Sequence, residues 1–184
     1  MQTHLHPLLA AVPGTTRQIH SFHYGPARAQ GKVYIQASLH ADELPGMLVL
    51  WYLKQRLADL EAAGALRWQV VLVPVASPPG LEQVLMDVPQ GRFDNGSREN
   101  FNRFFIDVSQ PVGDQVEGLL TQDPVRNLHL IRTALRQTLA SQAPTTALQS
   151  MRLILQALAC DADVVLDLHC DFESIMLLYA MPHN

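Results

Sequence analysis

Lys32-Val33-Tyr34-Ile35-Gln36-Ala37-Ser38-Leu39-His40-Ala41-Asp42-Glu43-Leu44-Pro45-Gly46 is the stretch on which the fold turns. Residues 32–38 are polar only at Lys32, Gln36 and Ser38. A run of that kind fits a strand inside a sheet covered on both faces. Downstream, Met47, Leu50, Trp51, Leu57 and Leu60 repeat at helical spacing and predict a core-facing stripe. Asp42 is the expected N-cap, Pro45 is tolerated in the first turn, and Gly64 ends the helix. His40 and Glu43 therefore stand in a strand-to-helix turn, three residues apart, where their side chains can meet.

Working outward, residues 68–75 form a second strand, rich in β-branched residues. A strand, a helix and a strand at this spacing predict a right-handed βαβ unit and a sheet that is at least partly parallel. Ligand sites in such sheets lie beyond the carboxyl ends of the strands, which is where His40 falls. Residues 163–169 give a third strand, 18–24 an early one and 174–180 a last one, with helices over 127–139 and 145–159. Residues 1–16 are mixed and interrupted by Pro7 and Pro13-Gly14. The fold class is α/β: a mixed, mostly parallel sheet flanked by helices on both faces, in one domain over residues 1–184.

An imidazole and a carboxylate at this spacing begin a zinc site, and a catalytic zinc takes three protein ligands. The third candidate is His169, at the end of the third strand. Strand parity puts Asp167 on the face of His169 and Cys170 on the other, Asp167 as a supporting group and Cys170 as a buried inert thiol. His20 and His23 read as strand or surface histidines. Residues 77–125 are rich in Pro, Gly, Asn and Asp, and an irregular segment of that length is often functional. Within it, Phe101, Phe104 and Phe105 are expected to anchor the loop, and Arg92, Asn102 and Arg103 to face a cleft. Guanidinium groups grip carboxylates, so an acidic substrate is one reading of these residues and ordinary surface ion pairs are the other.

Composition narrows the classes. The chain has 184 residues, 48% hydrophobic and 16% charged, enough for a folded core. Its net charge of −4 and pI near 6.0 argue against a nucleic-acid surface. No apolar run approaches the roughly 18 residues of a membrane span, and no secretory signal is evident. Two cysteines, outside any CxxC pattern, fit a reduced cytoplasmic protein.

The chain resembles the succinylglutamate desuccinylase/aspartoacylase family of the zinc-carboxypeptidase superfamily. His40-Ala41-Asp42-Glu43 is similar to its HxxE zinc pair, although the family has glycine where Ala41 stands. Asn100-Phe101-Asn102-Arg103-Phe104 is similar to its Asn-Arg motif, with Arg92 at a fitting distance upstream. Asp167-Leu168-His169 is similar to the strand bearing the third ligand. The resemblance implies one Zn2+ per chain on His40, Glu43 and His169. It implies a carboxylate clamp from Asn102 and Arg103, and polarisation of the scissile carbonyl by Arg92. The implied reaction is hydrolysis of a small acidic N-acyl amino acid. Two other readings stand beside it: a zinc metallocarboxypeptidase acting on peptides, and a non-catalytic domain that keeps the fold. The family's general-base glutamate lies well beyond its third ligand; Glu173 is a poor match, so the base is not identified and the chain reads as an N-terminal part. An unpaired sheet edge after 174–180 would favour a homo-oligomer.

Overall fold

Alternation in the two most apolar strands decides which helix covers which face. The computed structural model describes residues 1–26, 29–170 and 178–180. Its elements are β1 (Gln2–Pro7), β2 (Gln18–Tyr24), β3 (Lys32–Ala37), α1 (Pro45–Ala62), β4 (Gln69–Val73), α2 (Pro78–Leu81), β5 (Val84–Leu85), β6 (Val88–Pro89), α3 (Ser109–Val116), α4 (Pro124–Ala140), α5 (Ala147–Ala159) and β7 (Val164–Leu168). In β3, Ile35 and Ala37 point to one face and Tyr34 to the other; in β4, Leu72 opposes Val71 and Val73 in the same way. One face packs against Leu50 and Leu57 of α1. The other packs against Leu148, Met151 and Leu155 of α5.

The sheet order is β1-β2-β4-β3-β7. β3 pairs in parallel with both β4 and β7. β2 runs antiparallel to β1 and to β4, so β2 alone opposes the common direction. This is the expected mixed α/β sheet with helices on both faces. Among the described residues, no helix is long and apolar enough to cross a membrane.

Several expectations change. Residues 1–16 contain β1, an exposed edge strand whose sequence lacks the alternation that marks a half-buried one. Residues 77–125 are not irregular throughout: they hold α2, the β5–β6 hairpin and α3. The hairpin turns through Met86 and Asp87, both at positive φ without the glycine or asparagine that signals such a turn. Leu44, not Asp42, is the N-cap of α1, and no side chain caps it; Pro45 in the first turn brings no N–H to be capped. Trp51 is 58% exposed while Leu50 is fully buried. One residue is a rotation of about 100° on a helix, enough to carry Trp51 off the stripe. Of the strand expected at 174–180, residues 174–177 lie outside the described residues, as does Glu173, and 178–180 are not in a strand.

His20 and His23 are strand histidines, as expected. His23 Nε2 and His6 Nε2 both bond the buried Ser21 hydroxyl, at 2.9 and 2.8 Å.

Burial sets the stability test. Leu50→Ala should cost about 2–5 kcal/mol in denaturant unfolding. Trp51→Ala should stay within roughly 0.5 kcal/mol of the parent. Equal losses in the two variants would contradict this orientation of α1.

Candidate metal centre

Parallel pairing puts the carboxyl ends of β3 and β7 side by side, with Ala37 opposite Leu168. The chain therefore leaves both strands at the same end of the sheet. Ser38, at φ +59°, turns it sharply after β3. The Glu43 amide then donates to the His40 carbonyl at 3.1 Å and closes the turn. Gly46 lets α1 sit directly on the two strands: a Cβ there would stand 3.0 Å from the Ala37 Cβ and 3.2 Å from the Leu168 Cβ. Those contacts bring Glu43 against the residues that follow β7.

The Glu43 carboxylate is the meeting point. Its Oε1 lies 3.0 Å from His40 Nδ1, and its Oε2 lies 2.9 Å from His169 Nδ1. The Cys170 amide donates to Oε2 at 2.9 Å, and Arg92 Nη1 donates to Oε1 at 3.2 Å. His40 and Glu43 are buried. His40, Glu43 and His169 are the one group of three or more such side chains, among the described residues, that could hold a metal ion; their ligand atoms all lie within 4.8 Å of one another.

The hydrogen-bond partners fix which ring nitrogen of each histidine faces Glu43. The Asn102 amide N–H donates to Asn100 Oδ1 at 2.8 Å. That atom must therefore be oxygen, an acceptor. His40 Nε2, 3.0 Å from the same oxygen, must then donate to it. His40 therefore presents Nδ1 to a carboxylate oxygen. His169 repeats the pattern. Its Nε2 donates to Asp167 Oδ2 at 2.9 Å, which leaves Nδ1 facing Glu43. The bond to Asp167, opposed by burial and helped by the charge of Glu43, holds the His169 pKa above its ordinary value. Two ring nitrogens cannot rest at 3 Å from one carboxylate without a proton or a metal cation to share. Two imidazole nitrogens and a glutamate oxygen are the donor set of a zinc site that keeps a fourth position open.

The remaining expected residues distribute unevenly. Arg92 reaches the site, with its side chain 55% exposed. Asn102 Nδ2 lies 3.5 Å from His169 Nε2. Arg103 is exposed and donates from Nη1 to the Asn102 carbonyl at 2.7 Å. Phe101 is fully buried and Phe105 packs against the same cluster, but Phe104 is 71% exposed and meets the protein through the Arg152 guanidinium, 5.8 Å from its ring centre, rather than through the apolar core. Phe104 sits at φ +57°, and that left-handed backbone turns it outward. Cys170 is exposed rather than buried, because its strand ends at Leu168. Asn100 was not legible as a contact of His40; the run holds three asparagines, and spacing alone does not separate them.

Comparison with known proteins fixes the lineage. A family model described as the succinylglutamate desuccinylase/aspartoacylase catalytic domain matches residues 29–183. The chain belongs to the succinylglutamate desuccinylase/aspartoacylase family. A solved family protein from Shewanella amazonensis SB2B is similar at 27% identity and a TM-score of 0.81, over 93% of this chain and 47% of that one. A second, from Shewanella frigidimarina NCIMB 400, is similar at 26% identity and a TM-score of 0.75, over 92% of this chain and 45% of that one. This chain thus spans about half the length of these solved desuccinylase/aspartoacylase relatives. The curated proteins give no match.

The turn of this family member that carries His40 and Glu43 is clamped from outside by Gly91. Its carbonyl accepts from the Ala41 amide at 2.8 Å, and a Cβ at Gly91 would overlap the Asp42 amide nitrogen. Gly91→Ala should therefore destabilise the fold by about 1–3 kcal/mol. It should also weaken zinc binding, because the turn cannot move without moving Glu43. Thermal melts and a zinc titration check both effects; unchanged values in both would show that the clamp is unimportant.

Proposed function

We propose that this chain carries the zinc-binding part of an amidohydrolase that splits the amide bond of a small acidic N-acyl amino acid. The observation that carries the reading is the Glu43 carboxylate set between His40 Nδ1 and His169 Nδ1, at 3.0 and 2.9 Å. Family membership supports the reaction class.

His40, Glu43 and His169 would hold one Zn2+. When bound, that ion supplies Lewis acidity and lowers the pKa of a water. Asp167 keeps the proton on His169 Nε2 and so presents Nδ1 inward. Arg92 sits on the rim of this group, bonded to Glu43 and half-exposed. From there its guanidinium would polarise the scissile carbonyl and stabilise the oxyanion that follows. Asn102 lies beside His169 and Arg103 beside Asn102. Arg103 spends one N–H on the loop, which leaves donors to grip the substrate carboxylate bidentately.

Glu43 and Asp167 are both engaged with histidines, so among the described residues neither is suited to act as the general base. The two-cysteine composition supports a cytoplasmic setting. β7 has a partner on one side only among the described residues, and Val164, Val165 and Leu166 are exposed. That edge supports association with a second copy.

Binding tests the proposal without requiring a base. In calorimetry on the zinc-loaded chain, N-succinyl-glutamate or N-acetyl-aspartate should bind better than a dipeptide of matching C-terminal residue. Arg103→Ala should weaken that binding by about tenfold or more, the worth of a charged hydrogen bond. Stronger binding and faster cleavage of the dipeptide would overturn the proposal in favour of a peptidase.

A further inference from the structure

Arg152 stands on α5 with only 3% of its surface exposed. A buried guanidinium costs several kcal/mol to desolvate unless it is well partnered. Arg152 Nη1 donates to Glu99 Oε2 at 2.6 Å, and Nη2 donates to the Asn100 carbonyl at 2.9 Å. Its Nε is buried without a hydrogen-bond partner. Its neighbours Leu148, Met151 and Leu155 fill the core with apolar side chains, and an apolar residue would serve packing better at lower cost. Both of its bonds go instead to two consecutive residues of the loop that crosses the metal centre.

We propose that Arg152 is a positioning residue of this centre, acting through Asn100 to hold His40 in the tautomer that presents Nδ1 to the metal. The proposal rests on the reading of His40 as a ligand. The connection is continuous. Nη2 of Arg152 fixes the backbone carbonyl of Asn100. The side-chain oxygen of Asn100 is pinned by the Asn102 amide and accepts from His40 Nε2. With that acceptor in place, the proton stays on Nε2 and the lone pair stays on Nδ1. Loosened, the imidazole can carry its proton on either nitrogen, and one of the two tautomers cannot ligate through Nδ1. Glu99 completes the hold: its carbonyl accepts from the Asp94 amide at 2.9 Å, which ties the same two residues back to the segment bearing Arg92. The simpler alternative is that Arg152 only staples the loop to α5.

Two readouts separate these ideas, each on the wild-type chain, Arg152→Met, Arg152→Lys, Asn100→Ala and the Arg152→Met/Asn100→Ala double variant. The first is the nitrogen-15 imidazole spectrum of the metal-free protein. Wild type should show a His40 Nε2–H held in a hydrogen bond, whatever proton Nδ1 shares with Glu43. Arg152→Met should show mixed tautomers, as should Asn100→Ala. The second is zinc affinity, measured by competition with a chromogenic chelator. Arg152→Met and Asn100→Ala should each bind about 10–100-fold more weakly, the usual loss for a group that orients a ligand. The double variant should lose no more than the weaker-binding single, because both act on one hydrogen bond. Arg152→Lys keeps the charge and so guards against misfolding; its single ammonium cannot bond both partners in the fork geometry, so its spectrum should also change. A wild-type His40 spectrum and wild-type affinity in a folded Arg152→Met or Arg152→Lys protein would overturn the proposal, as would losses that simply add. A wild-type chain that binds no zinc would overturn the metal reading instead, and the imidazole spectrum would still decide whether Arg152 acts on His40.

Discussion

One carboxylate held between two imidazole nitrogens is the constraint on which the rest of this structure depends. Glu43 is buried, and each of its oxygens is 2.9 or 3.0 Å from a ring nitrogen whose partner nitrogen is hydrogen-bonded on the opposite side of the ring. An arrangement of that kind is held together by a cation or by shared protons between the three groups. The surroundings do not relax it; they enforce it. Asn100 takes the proton side of His40, and Asp167 takes that of His169. The Cys170 amide and the Arg92 guanidinium hold the carboxylate itself. Each partner adds a directed bond, and together they aim both Nδ1 atoms inward.

The fold supplies the convergence. Parallel pairing of β3 with β7 brings the ends of two strands far apart in sequence to one edge of the sheet, as open α/β sheets do for their ligands. Close backbone approach supplies the remaining precision. Gly46 seats the first turn of α1 on both strands, and Gly91 seats the loop on the turn after β3. At each place a methyl group would force the parts away from one another. Phe101, fully buried, fastens that loop to the core shared with α5.

The sequence made the centre of this molecule legible because burial there leaves a strong pattern. The early strand Gln18–Tyr24 is found over the predicted residues, and β3, β4, β7, α1, α4 and α5 lie within a few residues of their predicted spans. The cluster of His40, Glu43 and His169 was readable because each member sits beside a strand or turn signal: His40 and Glu43 just past β3, His169 just past β7. What was not readable lacks such a signal. β1 is exposed on an edge, so no apolar alternation marks it. The β5–β6 turn uses Met86 and Asp87 in a left-handed conformation that their identities do not announce. Trp51 and Phe104 are hydrophobic, yet helix rotation in one case and a positive φ in the other carry them to the surface. Asn100 and Arg152 were hidden for a different reason: their meaning lies in a contact between a loop and a helix that no local pattern encodes.

The central claim is that His40, Glu43 and His169 share one metal ion. Elemental analysis of the purified chain after equilibrium dialysis against zinc, beside His169→Ala, tests it most directly. About one zinc per chain, lost in a folded His169→Ala protein, is the predicted result. A wild-type chain that stays folded and takes up no zinc, or a variant that keeps its zinc, would contradict it.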